Sequence, residues 1–200
     1  AVLVDAVFLE TLPERELFSG FAEVIKHALI TSPPDWEDIQ GFSLDNPSWS
    51  TLLQRSIAIK SAVVAKDWKE QGLRKTLNFG HTIGHAIESH FLENQQVTVL
   101  HGEAVAAGII CELYLSCEKY GFSTADFNII KAYILKAYGK ISINDHEHTV
   151  IAQHATQDKK NEKGEIRGVL LKEIGMPIID SVITTEEIVK ALQYYHSLNI

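Results

Sequence analysis

Apolar residues recur at intervals of three and four along most of this 200-residue sequence, and one late stretch alone departs from that period. Leu17, Phe21, Val24, Ile25, Ala28 and Leu29 mark one face of a helix over about 14–31. Thr11 and Pro13 suit its start, and Ser32-Pro33-Pro34 stops it. A polar, Trp-bearing segment follows, broken at Asn46-Pro47. The spacing predicts further helices over about 48–69, 76–92, 101–120, 124–138 and 146–157. Leu52, Leu53, Ile57, Ala58, Val63 and Val64 mark the buried side of the first of these, and Gly121 closes the one ending at Tyr120. The period then changes. Lys163-Gly164 reads as a turn, and residues 166–182 read as a short β-hairpin. Thr184 or Thr185 caps a last helix, with Glu186 and Glu187 in its first turn. Residues 1–9 read as a short strand or lead-in. The expected class is mainly α: one multi-helical domain over 1–200 with a small β-hairpin near 166–182.

Charge narrows the function classes. The net charge is −8, with 46% apolar and 22% charged residues. No basic stripe stands ready for a nucleic-acid backbone. Local cations can still bind a small anion on an acidic protein. The longest apolar run near the start, Ala6 to Leu9, is far too short for a signal peptide or a membrane span. Cys111 and Cys117 are six apart on one predicted helix and point in different directions, so free thiols and a reducing cytoplasm are expected. The chain opens without Met on the strand-like Ala1 to Asp5 and reads as cut from something longer. No Gly-x-Gly-x-x-Gly follows a strand, so a dinucleotide fingerprint is not found here.

Chemistry concentrates in Leu77-Asn78-Phe79-Gly80-His81-Thr82-Ile83-Gly84-His85-Ala86-Ile87-Glu88. Two histidines four apart on a helix face the same way and can share a divalent metal. The same spacing also suits two hydrogen-bonded core histidines, and spacing alone leaves both readings open. Gly80 and Gly84 each cost a helix about 1 kcal/mol relative to Ala, which suggests close approach by another backbone or a ligand. Glu23 and Lys26 sit three apart among Phe21, Ala22, Val24 and Ile25. An exposed pair of that kind is worth only about 0.2–0.5 kcal/mol. A buried Glu23 needs a partner or a metal. His101-Gly102-Glu103 adds a third imidazole at a helix start. One carboxylate and two imidazoles make a three-ligand zinc site with a position left open. Lys26, Lys60, Lys66, Arg74, Lys159 and Lys160 fall near these segments or in the polar motif Gln157 to Asn161. With a metal site they point to an anionic substrate rich in oxygens.

These strings resemble the 3-dehydroquinate synthase family. Leu12-Pro13-x-Arg15-Glu16-x-x-x-Ser19-Gly20-x-x-Glu23-Val24-Ile25-Lys26 is similar to the family's helix with a metal-binding glutamate. Lys60 to Val64, Asp67, Glu70, Gly72-Leu73-Arg74, the string from Leu77 to Glu88, and His101-Gly102-Glu103-Ala104-Val105-Ala106-Ala107-Gly108 follow at the family's spacing. Asp158-Lys159-Lys160 and a hairpin come late, as they do there. The resemblance covers essentially the whole chain, as the C-terminal half of the family's fold.

The resemblance implies a zinc or cobalt ion held by Glu23, His81 and His101, with His85 on the substrate side. It implies substrate contacts from Lys26, Lys60, Arg74, Asn78 and His85, and from one of Lys159 and Lys160. The implied enzyme is a lyase of the shikimate pathway to chorismate and the aromatic amino acids. It turns 3-deoxy-D-arabino-heptulosonate 7-phosphate into 3-dehydroquinate and phosphate. NAD oxidises a hydroxyl, the ketone acidifies a neighbouring C–H, phosphate leaves, hydride returns, the ring opens, and an aldol step closes the carbocycle. A homodimer is implied, with no nucleic-acid or membrane partner. The family's N-terminal NAD-binding domain has no counterpart in these residues, so a chain that holds metal without turning over is expected. His27 stands where many relatives carry Tyr, and no function is attached to it. Rival readings are another sugar-phosphate cyclase, an alcohol dehydrogenase of the glycerol dehydrogenase type, and a helical interaction module without catalysis.

Overall fold

A computed structural model describes residues 3–44, 48–94, 98–157 and 165–199. Lys159, Lys160 and the expected turn at Lys163-Gly164 lie outside the described residues. The helices are α1 (Glu14–Thr31), α2 (Pro33–Gln40), α3 (Trp49–Lys66), α4 (His81–Asn94), α5 (His101–Tyr120), α6 (Thr124–Tyr138), α7 (His148–Thr156) and α8 (Thr185–Ser197). Strands β1 (Ile166–Glu173) and β2 (Met176–Ile183) form an antiparallel pair. No described helix is long and apolar enough to cross a membrane.

α5 is the centre of the fold. Gly102, every residue from Ala104 to Leu113, Leu115 and Ser116 are buried. A helix that is apolar on all sides must be surrounded, and α1, α4, α6, α8 and β1 all pack on it. The closest approach is between α4 and α5. A Cβ on Gly108 would collide with the Gly80 carbonyl oxygen and stand 2.7 Å from the Gly84 nitrogen. The cost of glycine near the two histidines therefore reflects the backbone of α5 pressed against α4. Gly80 itself has φ +78°, a left-handed turn that an L side chain resists.

Several local expectations are corrected. Among the described residues of that lead-in, 3–9, there is no strand; Ala6–Thr11 is a 3-10 helix capped by the Asp5 carboxylate, which accepts from the Val7 nitrogen at 3.0 Å. Thr11 does not cap α1, whose N-cap is Pro13. The segment after Thr31 is helical, not merely polar: the Ser32 hydroxyl accepts from the Asp35 nitrogen, and the prolines occupy the first turn of α2, where a missing N–H costs nothing. Thus Ser32-Pro33-Pro34 ends one helix by starting another. The expected helix over 76–92 splits into a 3-10 turn, Leu73–Asn78, and α4, because Gly80 breaks the path between them. The long helix expected to reach Lys69 stops at Lys66, where Asp67 turns its carboxylate to the nitrogens of Gln71, Gly72 and Arg74. Its apolar face is only partly covered: Leu52 is buried, Leu53, Val63 and Val64 are half-buried, and Ile57 and Ala58 are exposed.

The hairpin appears as expected, with Ile166 opposite Ile183 and Gly168 opposite Ser181. Its reversal lies at Ile174-Gly175, where the Gly175 nitrogen donates to the Leu29 carbonyl at 2.8 Å and ties the hairpin to α1. Thr184 caps α8 in a reciprocal box with Glu187. Both cysteines are free, and burial pushes the thiol of each upward.

Candidate metal centre and substrate cleft

The N-terminus of α4 is positioned from α5. Glu112 is fully buried, and its carboxylate accepts from the Gly80 nitrogen at 2.6 Å and the Ile83 nitrogen at 3.1 Å. An anion at a helix N-terminus satisfies orphan N–H groups and meets the positive end of the dipole. His81, the first residue of α4, is thereby fixed. Its Nδ1 lies 3.0 Å from the Phe79 carbonyl oxygen. A carbonyl can only accept, so Nδ1 carries the hydrogen and Nε2 of the neutral ring bears a lone pair.

Glu23 comes to this lone pair from α1. Its Oε1 lies 3.3 Å from His81 Nε2, is buried, and makes no hydrogen bond of good geometry. The other oxygen, Oε2, accepts from the ammonium of Lys26 at 2.7 Å, and the Lys26 side chain is 3% exposed. Burial alone would raise the Glu23 carboxyl; His81 and Lys26 outweigh it and hold the group well below the ordinary carboxylate range. A buried anionic oxygen at this distance from a ring nitrogen is satisfied either by a proton on Nε2 or by a cation held between the two. Ligands about 2.0–2.2 Å from a tetrahedral zinc lie roughly 3.3–3.5 Å from one another, which is the spacing observed.

α5 supplies the third group. Arg15 holds the Glu103 carboxylate through two bonds, Nε to Oε1 at 2.6 Å and Nη2 to Oε2 at 2.8 Å, and donates to the Thr98 carbonyl. Glu103 caps α5 by accepting from the Leu100 nitrogen, and Ser19 Oγ accepts from the Gly102 nitrogen at 3.0 Å. These contacts clamp the start of α5, and so His101, onto α1. Glu88 accepts from His101 Nδ1 at 3.0 Å and leaves Nε2 for a ligand. A carboxylate behind a ligating imidazole is the usual support for such a site.

The imidazoles of His81, His85 and His101 converge. Ring centroids are 5.1 Å apart for His81–His85, 5.5 Å for His81–His101 and 5.7 Å for His85–His101. One ligating atom from each lies within 4.8 Å of the others. Glu23 falls outside that group and reaches the cluster through His81. His85 also lines a cleft of about 340 Å³ between α4 and α7, with Glu88, Ser89 and His154.

Other expected site residues divide between two places. Arg74 and Asn78 meet on Glu70: Asn78 Nδ2 donates to Glu70 Oε1 at 3.1 Å, and Arg74 Nε lies 3.7 Å from Oε2. Glu70 adopts φ +58°, uncommon for a residue with a side chain. Lys60 stands exposed on α3, close enough to His27 for its charge to be felt there. Glu112, Glu88 and Arg15 act on the histidines without having been singled out as site residues. Glu112 leaves one signal in the sequence: a lone carboxylate in the apolar run Ile109 to Leu115.

The fold is shared with solved sugar cyclases. A 2-epi-5-epi-valiolone synthase from Streptomyces hygroscopicus subsp. jinggangensis, with NAD+ and Zn2+ bound, superposes with a TM-score of 0.79 over 96% of this chain and 54% of that one, at 22% identity. A 2-deoxy-scyllo-inosose synthase complexed with carbaglucose-6-phosphate, NAD+ and Co2+ gives 0.73 over 92% and 53%, also at 22%. Sequence comparison goes further than fold. The family description "3-dehydroquinate synthase C-terminal" matches residues 20–161, and the chain belongs to that family. A 3-dehydroquinate synthase of Parabacteroides distasonis is 41% identical over 198 residues, 97% of this chain and 56% of that protein. One from Geobacillus thermodenitrificans is 39% identical over 180 residues, 88% and 48%. The chain spans about half the length of these curated relatives.

Proposed function

We propose that this chain is the metal-carrying half of a 3-dehydroquinate synthase. The assembled enzyme converts 3-deoxy-D-arabino-heptulosonate 7-phosphate to 3-dehydroquinate and phosphate. The observation that carries the reading is the buried Glu23 Oε1 facing His81 Nε2 at 3.3 Å, beside a third imidazole braced by Glu88. Glu23, His81 and His101 would hold a divalent ion, zinc or cobalt. When bound, the ion would polarise the substrate's alcohol and ketone oxygens, and NAD, held mainly by a separate N-terminal domain, would take up and return hydride.

The chain's own residues do the rest. Lys26 keeps Glu23 ionised and therefore ready to bind a cation. Arg74 offers a planar fork for a phosphate or carboxylate, and Glu70 orients it together with Asn78, whose amide can address a hydroxyl. Lys60 and one of Lys159 and Lys160 add point charges for the same anionic groups. His85, between the imidazole cluster and the cleft, would serve as a proton-transfer or phosphate-side group. These groups hold a flexible sugar acid in a reactive geometry. The net reaction is redox-neutral and releases one phosphate, so bound NAD is not consumed. Identity near 40% with dehydroquinate synthases, against 22% with the other cyclases, favours this substrate over theirs. A cytoplasmic homodimer completes the proposal, in keeping with bacterial relatives named for a biosynthetic reaction.

Phosphate release tests it. Given NAD, zinc or cobalt, and substrate, the 200-residue chain alone should release no phosphate. The same chain joined to the N-terminal half of the Parabacteroides relative should release it, and His81→Ala or Arg74→Ala should abolish it. Robust turnover by the chain alone would refute the division of labour. An active fusion indifferent to both substitutions would refute the site.

A further inference from the structure

A second histidine cluster lies away from the residues assigned above. The 3-10 turn Asp145–Glu147 leads into α7, whose first residue is His148, and α8 brings His196 in its last turn. One ligating atom from each of Asp145, His148 and His196 lies within 4.8 Å of the others. The two rings meet edge to face with centroids 5.5 Å apart. His148 is 2% exposed, and its Nε2 is buried without a hydrogen-bond partner. His196 Nδ1 is also buried without one; its nearest anionic neighbour is Asp145 Oδ1 at 3.2 Å.

From this arrangement we infer a second divalent-metal site, formed by Asp145, His148 and His196, that clasps the C-terminal helix α8 to the start of α7. The donor set decides the class of ion. Two imidazoles and one carboxylate suit zinc, cobalt, nickel or copper, and do not suit magnesium or calcium, which take oxygen ligands. The 3.2 Å between Asp145 Oδ1 and His196 Nδ1 matches neighbouring ligands on a zinc-sized ion, about 3.3 Å apart. Protons are a poor substitute. His148 Nε2 is buried with no hydrogen-bond partner, so a proton there would find no acceptor. A bound cation satisfies both orphaned nitrogens and the carboxylate at once. Asp145 is 91% exposed at its side chain, so ions enter and water completes the coordination from that side. None of the three residues belongs to the Glu23–His81–His101 set, so this site stands or falls independently of the proposed reaction.

The test is metal content after chelator treatment, reloading with zinc and removal of the excess, on the full protein carrying this sequence. The wild type should bind one zinc more per chain than Asp145→Asn/His196→Asn, while His81→Ala still shows that same difference when combined with the pair. Zinc should raise the melting temperature of the wild type and of His81→Ala, and less so that of the double variant. Magnesium should do neither. Asp145→Asn alone changes only an exposed side chain, so its weakened retention of the second zinc is free of any folding defect. Equal zinc in wild type and Asp145→Asn/His196→Asn, with equal melting shifts, would overturn the site and leave the orphaned nitrogens to water.

Discussion

Lone pairs and charges at single atoms decide most of what this chain can do. Glu23 and His81 were legible as candidates from their residue types and neighbours. Their pairing in one metal set came only from the family resemblance, and the burial of one particular Glu23 oxygen from neither source, because a sequence does not say which oxygen of a carboxylate will be buried. His27 shows the converse. No function was attached to it, yet its ring is 2% exposed, donates or accepts at Ser56 Oγ at 2.8 Å, and leaves Nε2 buried without a partner. Burial first, then the charge of Lys26, pull it from 6.5 down to about 4. The folded state therefore refuses a proton that the unfolded chain accepts between those values. Stability rises with pH across that window, is complete above about 6.5, and falls on acidification until pH reaches about 4. At about 1.4 kcal/mol per unit, the loss attributable to His27 is roughly 3 kcal/mol. Denaturant titrations from pH 4 to 7 should show this slope in the wild type and a shallower one in His27→Phe. Parallel slopes would mean that the imidazole titrates alike in both states.

At the scale of elements, the site is a meeting of helix ends. Glu112 caps α4 from α5, and Arg15, Ser19 and Glu103 clamp the start of α5 to α1. Glu112→Ala should leave two buried N–H groups without their acceptor, at roughly 2–6 kcal/mol, and should loosen His81 as well. Equilibrium unfolding together with metal affinity measures both. A fall in stability with unchanged affinity would show that α4 holds its own N-terminus. Helix positions were largely readable because one face of each repeats at the helical period. α2 escaped because prolines were read as a stop without being read as a first turn. α3 misled in another way: its apolar positions are real, but only Leu52 is fully buried among the described residues, with Leu53, Val63 and Val64 half-buried. Periodicity reports a capacity for burial, and packing decides whether it is used.

For the whole molecule, the described residues close around α5 with a continuous core, yet the chain spans about half the length of its curated relatives. The proposed division of labour follows from that scale: metal and anion-binding groups on this half, dinucleotide binding on another. Motif spacing made the family legible, since the strings around Glu23, His81 and His101 are dense and ordered. The supporting carboxylates were not legible as such, because each acts through contacts 13 to 88 residues away in sequence. The most direct measurement is tightly bound zinc per chain in the wild type, Glu23→Gln and His81→Ala. The proposed centre predicts that each substitution removes one equivalent while the fold, read by circular dichroism, persists. Wild-type zinc content in either folded variant would contradict it.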